Sequence, residues 1–434
     1  MPVLFVDPGS GLIQYFAAVS GQLAGGGLFY CPRPTVRSKL QRLGHTALTC
    51  QDKTLPKVEE ADIAHVLRSS SEASLMAVPA ARQLAARALA ELGCLLQSGR
   101  VDAIFLWNGS GVYATAAALL AGRWNIATIF GENGYLPGTL QIDPQGVNQR
   151  ASICGDVARE YATTVPGASE RRAFLQAKQD YVSGRCVQYS APDRRIHASL
   201  VAKFHERSAN LLAGRSKLRW RRPKNRGIPQ RLGALPERFV LLPMQVVKDS
   251  QLLCHSPLVA NDLPLLVRRV REALRTMAPE CRLVVKLHPA ERVADYARLA
   301  RELDDVLFVA RQDVRELLAA AEAVITVNST VGFEALLYEK NVLMVGENFY
   351  RVEGVVHALD SLDELPSQLH AALTQQPDLE RLENFLANVY AHYFVKASWK
   401  DYSAQSLQNV AQRIEEILRN HQGRCSDVPC HAKR

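Results

Sequence analysis

Short, uniformly apolar runs alternate with longer helical segments along most of the chain, and this alternation constrains the fold more than any single motif. It is the pattern of parallel sheets covered by helices. In the first half the strand-like runs are VLFVD (3–7), TALTC (46–50), DAIFLW (102–107) and IATIFG (126–131). In the second half they are RFVLLPMQV (238–246), RLVVKLHP (282–289), VLFVA (306–310), AVITVN (323–328) and NVLMVG (341–346). The Ala- and Leu-rich stretch from Glu72 to Gly99 reads as a helix, as does SGVYATAAALLAGRW (110–124), which opens on small residues suited to a helix N-terminus. The expected fold class is α/β, with two Rossmann-like domains facing a central cleft.

A chain of 434 residues with 47% apolar content is long enough for two domains, each with its own core. The expected division is an N-terminal Rossmann-like, acceptor-side domain over 1–230, a C-terminal Rossmann-like domain over 231–375, and C-terminal helices with a polar tail over 376–434. No uninterrupted apolar run reaches eighteen residues, and MPVLFVDPGSG has neither a basic start nor an apolar stretch of signal-peptide type, so the expected location is the cytoplasm. The nine cysteines are scattered, and most lie in apolar surroundings where a reduced thiol packs as a small hydrophobe. Cys425, Cys430 and His431 lack a second ligand pair, and no metal site is expected.

The formal charge of +9 points to an anionic partner, and the excess is concentrated in RSKLRWRRPKNRG, where Arg215, Lys217, Arg219, Arg221, Arg222, Lys224 and Arg226 surround Trp220 without one acid. A solvated interdomain connector is the plainest reading. An anionic membrane surface is the next, because basic residues near such a surface contribute about 1 kcal/mol each and Trp favours the interface. Nucleic acid ranks last, since no reading helix or stacking platform accompanies the cluster.

Three strand ends of the second half carry polar groups: QVVKDSQ (245–251), KLHP (286–289) and VNSTVGFEALL (327–337). Parallel strands would bring them to one edge, where ligands of open α/β sheets bind. At the third, an apolar strand runs through Asn328, Ser329 and Thr330 into a helix, so that unpaired helix N–H groups and two hydroxyls could hold a phosphate. A plain helix N-cap explains the same Ser and Thr. Glu334, on the first turns of that helix, stands where the ribose of a sugar nucleotide would present hydroxyls. His288, stopped by Pro289, either ends a strand or donates to a phosphate oxygen on a departing nucleotide. Dinucleotide and Walker fingerprints are absent from the sequence, and so is an Asp-x-Asp metal motif near the strand ends, which favours a nucleoside monophosphate leaving group.

Together with GENGYLPGTLQIDPQGVN (131–148), these three segments resemble the capsular polysaccharide synthesis family of retaining β-Kdo glycosyltransferases. Those bacterial enzymes transfer Kdo from CMP-β-Kdo to glycan or lysophospholipid acceptors. The His-Pro and Ser-Thr pairs are shared more widely with CMP-sialic acid transferases. The resemblance implies a GT-B-like, metal-independent enzyme with no cofactor beyond its CMP-β-Kdo donor. It implies that His288, Ser329 and Thr330 contact the CMP phosphate and Glu334 the ribose or cytidine. Gln245, Ser250, Gln251, Lys286, Pro289 and Asn328 would complete the donor side.

Retention calls for a covalent glycosyl-enzyme or a front-face route. Asp249 is the first choice of nucleophile, with an N-cap for the following helix as its structural alternative. Glu132 is expected to activate or bind the acceptor rather than to act as nucleophile, with Asn133, Gly134, Tyr135, Gln141 and Asn148 shaping the acceptor side. Expected partners are the CMP-sugar donor, a glycan or lysophospholipid-linked acceptor, other polysaccharide-assembly transferases and, peripherally, the inner membrane. Two alternatives stand beside this reading: a transferase for another CMP-nonulosonate, and a non-catalytic export or regulatory protein.

Overall fold

The computed structural model describes residues 2–48, 56–185, 196–199, 201–203, 205–206, 228–246, 250–259, 262–291 and 293–426. Asp249 and the Arg215–Arg226 cluster lie outside the described residues. The chain divides into two compact units, neither of them continuous: Met1–Val147, Val187–Leu218 and Phe394–Arg434 form the first, Asn148–Cys186 and Arg219–Tyr393 the second.

In the first unit the chain runs β1 (Val3–Val6), α1 (Ile13–Ser20), β2 (Gly27–Tyr30), α2 (Pro34–Arg42), α3 (Glu60–Ser69), α4 (Ser71–Ser74), α5 (Val78–Gln97), β3 (Ala103–Trp107), α6 (Val112–Arg123), β4 (Ala127–Asn133) and β5 (Thr139–Asp143). It then enters the second unit through α7 (Asp156–Thr163) and α8 (Ala168–Val182). There follow β6 (Phe239–Pro243), α9 (Ser250–His255), α10 (Leu263–Met277), β7 (Arg282–Lys286), α11 (Val293–Glu302), β8 (Leu307–Val309), α12 (Val314–Ala320) and β9 (Ala323–Thr326). The second unit ends with α13 (Thr330–Leu337), β10 (Asn341–Met344), β11 (His357–Ala358), α14 (Leu365–Thr374) and α15 (Leu379–Asn388). Last, β12 (Phe394–Lys396) and α16 (Ala404–Ser426) return to the first unit.

The first sheet has the order β12-β5-β4-β3-β1-β2. Strands β2, β1, β3 and β4 are parallel, while β5 and β12 are antiparallel to their neighbours. The strand expected as IATIFG runs two residues further, through Glu132 and Asn133, and residues 134–138 turn the chain directly into β5. A connection of five residues is too short for a crossover, so the next strand has to run back. Among the described residues of TALTC, Ala47 makes an isolated bridge to Phe29, and the paired strand is GLFY, on the other side of α2 in the chain. The stretch expected as one helix from Glu72 to Gly99 is two helices, α4 and α5, with Pro79 at the start of the longer one.

The second sheet, β11-β10-β9-β6-β7-β8, is parallel throughout. Its chain order is that of a Rossmann domain: successive strands step outward from β6 to β8, then β9 returns to the other side of β6. The five strands expected in this half are all present, because runs buried on both faces are uniformly apolar. Both units are thus Rossmann-like, the first with an antiparallel edge.

The unit boundaries differ from a contiguous division at 230 and 375 in two places. Helix α8 packs with the second unit through Phe174, which is fully buried, and the Asn388 amide donates to the Tyr161 and Thr164 carbonyls at the C-terminal end of α7. Helix α16 places Val410 and Ile414 in the same core as Phe5 and Phe105. Cys31, Cys154 and Cys281 are free thiols. Cys94 is disulfide-bonded, a pairing that residue spacing could not show.

The Phe5 ring is fully buried among Phe16, Phe29 and Phe105 at centroid distances of 5.2–5.4 Å. Phe5→Ala is expected to cost about 3–5 kcal/mol. In calorimetry the loss should fall on the unit that contains α16, leaving the melting of the second unit near its wild-type value.

Candidate functional site

In the second unit, β9, β6 and β7 are neighbours, and the three polar segments leave their C-terminal ends. The edge between β6 and β9 is the topological switch point, where ligands of such sheets bind. Here the ladder pairs only Val240 with Ala323 and Leu241 with Val324. Beyond it, two buried side chains bridge the diverging strands: the Gln245 Nε2 donates to Asn328 Oδ1 at 2.9 Å, and the Asn328 N–H donates to Gln245 Oε1 at 3.2 Å. Asn328 Nδ2 donates in turn to the His255 carbonyl at 3.1 Å, fixing the end of α9 to the same place.

Ser329 is the N-cap of α13, its Oγ accepting from the Val331 N–H at 3.1 Å. The N-cap reading of Ser329 therefore holds, and it is compatible with an anion site because a capping hydroxyl keeps its own proton to donate. Thr330, at the first helical position, is exposed. The turn is held from below: Thr326 Oγ1 accepts from the Ser329 N–H, and the Tyr350 hydroxyl donates to the Ser329 carbonyl at 2.6 Å. A Cβ at Gly332 would lie 2.5 Å from Thr326 Cγ2 and 2.6 Å from the Tyr350 hydroxyl, so only glycine lets α13 pack this closely.

His288 is exposed at the end of β7. Its Nδ1 accepts from the Ala290 N–H at 3.0 Å, which requires the neutral ring to carry its proton on Nε2 and makes Nε2 a donor. Pro289 follows, exposed. Lys286 is buried, with Nζ donating to the Leu287 carbonyl, and burial lowers its pKa. Ser250 and Gln251 belong to α9, directly after β6 and residues 244–249.

Glu334 lies on the second turn of α13 and accepts a hydrogen bond from the Tyr181 hydroxyl of α8. Burial pushes its carboxyl up to about 7, against the lowering effects of Tyr181 and Arg315. Two residues that the sequence did not single out also stand here. Burial takes the His255 ring down to about 4, helped by the Arg150 charge, and Asn348 donates from Nδ2 to the Asn328 carbonyl at 3.0 Å. Neither carries a motif, and only its contact with Asn328 reveals it.

The acceptor-side residues divide. In the first unit, Glu132 on β4 faces Gln141 on β5. Glu132 Oε2 accepts from Asn108 Nδ2 at 2.6 Å, and its Oε1 accepts from the Asn133 N–H and Nδ2 at 2.8 and 3.0 Å. Gln141 is buried and donates to the Asn133 carbonyl, while the Trp399 indole donates to Asn133 Oδ1. Gly134 sits against Thr139 in the turn, leaving no room for a Cβ, and Tyr135 is buried. Asn148 belongs to the second unit, buried, with a left-handed φ of 60°. Among the described residues, no group of three or more His, Cys, Asp or Glu side chains could hold a metal ion, and no helix is long and apolar enough to cross a membrane.

The Glu334 shift sets a direction for stability against pH. A carboxyl raised from 4.5 to about 7 on folding favours its protonated form, so its contribution is full below pH 4.5 and is lost as pH rises through 7. Glu334→Gln, which stays neutral, should match wild type in melting temperature near pH 4.5 and exceed it at pH 8. Parallel melting curves across that range would contradict the burial argument.

The chain is 29% identical over 302 residues to Protein FixF of Sinorhizobium fredii, covering 69% of this chain and 61% of that protein. It is 27% identical over 245 residues to the Escherichia coli capsule polysaccharide export protein KpsS, covering 52% of this chain and 62% of that protein. It spans about three fifths of the length of these curated relatives. Among solved structures, it is similar to the Thermosulfurimonas dismutans KpsC β Kdo 2,4 transferase, at 19% identity and a TM-score of 0.41, covering 66% of this chain and 78% of that one. Residues 102–399, which carry the second sheet, the β4–β5 hairpin and all the polar strand ends described above, match the model of the capsule polysaccharide biosynthesis proteins, and the chain belongs to that family.

Proposed function

We propose that the protein is a retaining, metal-independent glycosyltransferase that moves Kdo from CMP-β-Kdo to a hydroxyl of a glycan or lysophospholipid-linked acceptor, in the synthesis of capsule or another bacterial surface polysaccharide. The observation that carries this reading is the set of polar groups on three neighbouring strand ends at the switch point of the second sheet: Gln245 with Asn328, Ser329 at the start of α13, and His288. Family membership supports a role in surface polysaccharide assembly. The resemblance of the four quoted segments supports the sugar and its nucleotide.

In this reading the CMP phosphate binds at the N-terminus of α13, where helix N–H groups, the dipole and the Ser329 and Thr330 hydroxyls favour an anion. His288 Nε2–H donates to a phosphate oxygen and stabilises the charge that grows there as the bond to the anomeric carbon breaks. A leaving monophosphate is neutralised by such donors without a metal. Glu334 receives the ribose or cytidine, and Gln245, Ser250, Gln251, Lys286, Pro289 and Asn328 shape the pocket. The Asp249 carboxylate attacks the anomeric carbon as CMP departs with the bonding pair, and the acceptor hydroxyl then displaces that carboxylate, so two inversions give retention. Glu132, held by Asn108 and Asn133, serves the acceptor, with Asn133, Gly134, Tyr135, Gln141 and Asn148. We place this work in the cytoplasm beside other assembly transferases, with Arg215–Arg226 against the inner membrane.

A second donor, another CMP-nonulosonate such as sialic acid, would suit the same phosphate site. A non-catalytic export role has one observation in its favour, the naming of the Escherichia coli relative as an export protein. Donor chemistry separates the three.

Incubated with CMP-β-Kdo and no acceptor, wild type should gain the mass of one Kdo residue, and Asp249→Ala should not. Unchanged CMP release by the variant would remove Asp249 from the mechanism. His288→Ala should lower turnover of the donor about 100-fold, with His288→Gln retaining part of the rate through its amide donor; equal rates in all three proteins would assign His288 to the strand end alone.

A further inference from the structure

The first sheet has a switch point of its own. Strand β1 lies between β2 and β3, and the residues that leave β1 and β3 at the C-terminal edge are Asp7 and Asn108. Both hold left-handed backbone conformations, φ 43° and 63°, which a residue with a Cβ adopts at a cost and which cluster where a site requires them. Asp7 is followed by Pro8, and its N–H is tied to the Tyr30 carbonyl at 2.8 Å. Its carboxylate is 17% exposed, within reach of solvent, and is steadied by Arg33 Nε at 2.9 Å from the next strand end.

This edge differs from its counterpart in the second unit. At β9 the following helix begins with a hydroxyl. On the first sheet, the helices after β2 and β3 already have carboxylates at their N-termini: Glu206 Oε2 accepts from the Thr35 N–H at 3.0 Å, and Glu72 Oε2 accepts from the Val112 N–H at 3.0 Å. The chain's own acids fill the places where a phosphate would sit. Asp7 caps no helix, so its partly exposed carboxylate is left to accept from a hydroxyl.

Resting on the transferase reading above, we infer that Asp7 is the base that receives the acceptor hydroxyl's proton, and that the ends of β1 and β3 hold that hydroxyl. The acceptor O–H bond breaks, the proton passes to an Asp7 oxygen, and the freed pair forms the new bond to the anomeric carbon. The bond from that carbon to its leaving oxygen breaks, its pair going to that oxygen, and Asp7 afterwards releases the proton to water.

Glu132 is the less suitable base, because three N–H donors from Asn108 and Asn133 already engage its two oxygens. It acts instead as a positioning residue, orienting Asn108 at the switch point. Asp7 is in the opposite situation. Burial raises its carboxyl, Glu72 and Glu206 add to the rise, and Arg33 opposes it. Cys31 and Tyr113 are the other titratable groups that feel its charge. A carboxylate raised in this way is the stronger proton acceptor.

The test uses CMP-β-Kdo without a sugar acceptor, so that water takes the place of the hydroxyl, with and without azide, a nucleophile that needs no deprotonation. Asp7→Asn is expected to slow hydrolysis about 100-fold, with azide restoring turnover as the glycosyl azide. Arg33→Gln removes the cation that lowers Asp7, so the acid limb of the pH–rate profile should move to higher pH; this arm decides if Asp7→Asn does not fold. Hydrolysis by Asp7→Asn at the wild-type rate, no azide product from a folded variant that still binds CMP, or an unmoved acid limb would each overturn the assignment. Failure of wild type to release CMP at all would instead withdraw the transferase reading on which it rests.

Discussion

The second unit depends on how two strands part. Between β6 and β9 the backbone ladder ends after two pairs, and the strands run on, parting, through buried residues whose peptide groups need other partners. Buried amides without partners would cost about 1–3 kcal/mol each. Gln245 and Asn328 supply the missing bonds with side chains, in a reciprocal pair that also recruits the His255 carbonyl and Asn348. The edge is thereby held where the ladder stops, and it carries Ser329, whose own position is set by Thr326 and Tyr350.

Much of this framework is legible in the sequence, for a reason that applies unequally to its parts. Strands such as AVIT and FVLLP are covered on both faces, so burial forces a continuous apolar run, short and set between helix-length segments. Three polar strand ends in one half of a parallel protein could only meet at one edge, and they do. The short GLFY strand, with two of its four residues half-buried, gives a weaker signal, and the neighbouring TALTC was the more apparent candidate. The β4–β5 hairpin was hidden because GENGY reads as turn chemistry, whereas Gly131 is in the strand to accommodate Phe105 beneath it.

Within the site, residue types were legible and their states were not. The sequence offers His288 as a strand-end imidazole; only the bond from Ala290 fixes which nitrogen carries the proton. It offers Glu334 as an acid on a helix; only the arrival of Tyr181, more than 150 positions earlier in the chain, shows the burial that raises it. Lys286 reads as a cation beside a ligand, and its ammonium is instead held by the adjoining carbonyl. Proton positions and burial depend on distant chain segments, which local spacing does not encode.

The return of α16 to the first unit has a bearing on the order of folding. The aromatic core of Phe5, Phe16 and Phe105 is made by residues that leave the ribosome some three hundred positions or more before Val410 and Ile414, which form one of its walls. Chain segments that appear early ordinarily fold early. Here the second unit is complete once Tyr393 has been made, while the first must hold an open apolar face until about twenty residues later. During synthesis the unit begun first is therefore the one finished last, and the exposed face of its sheet is where a chaperone would find its client.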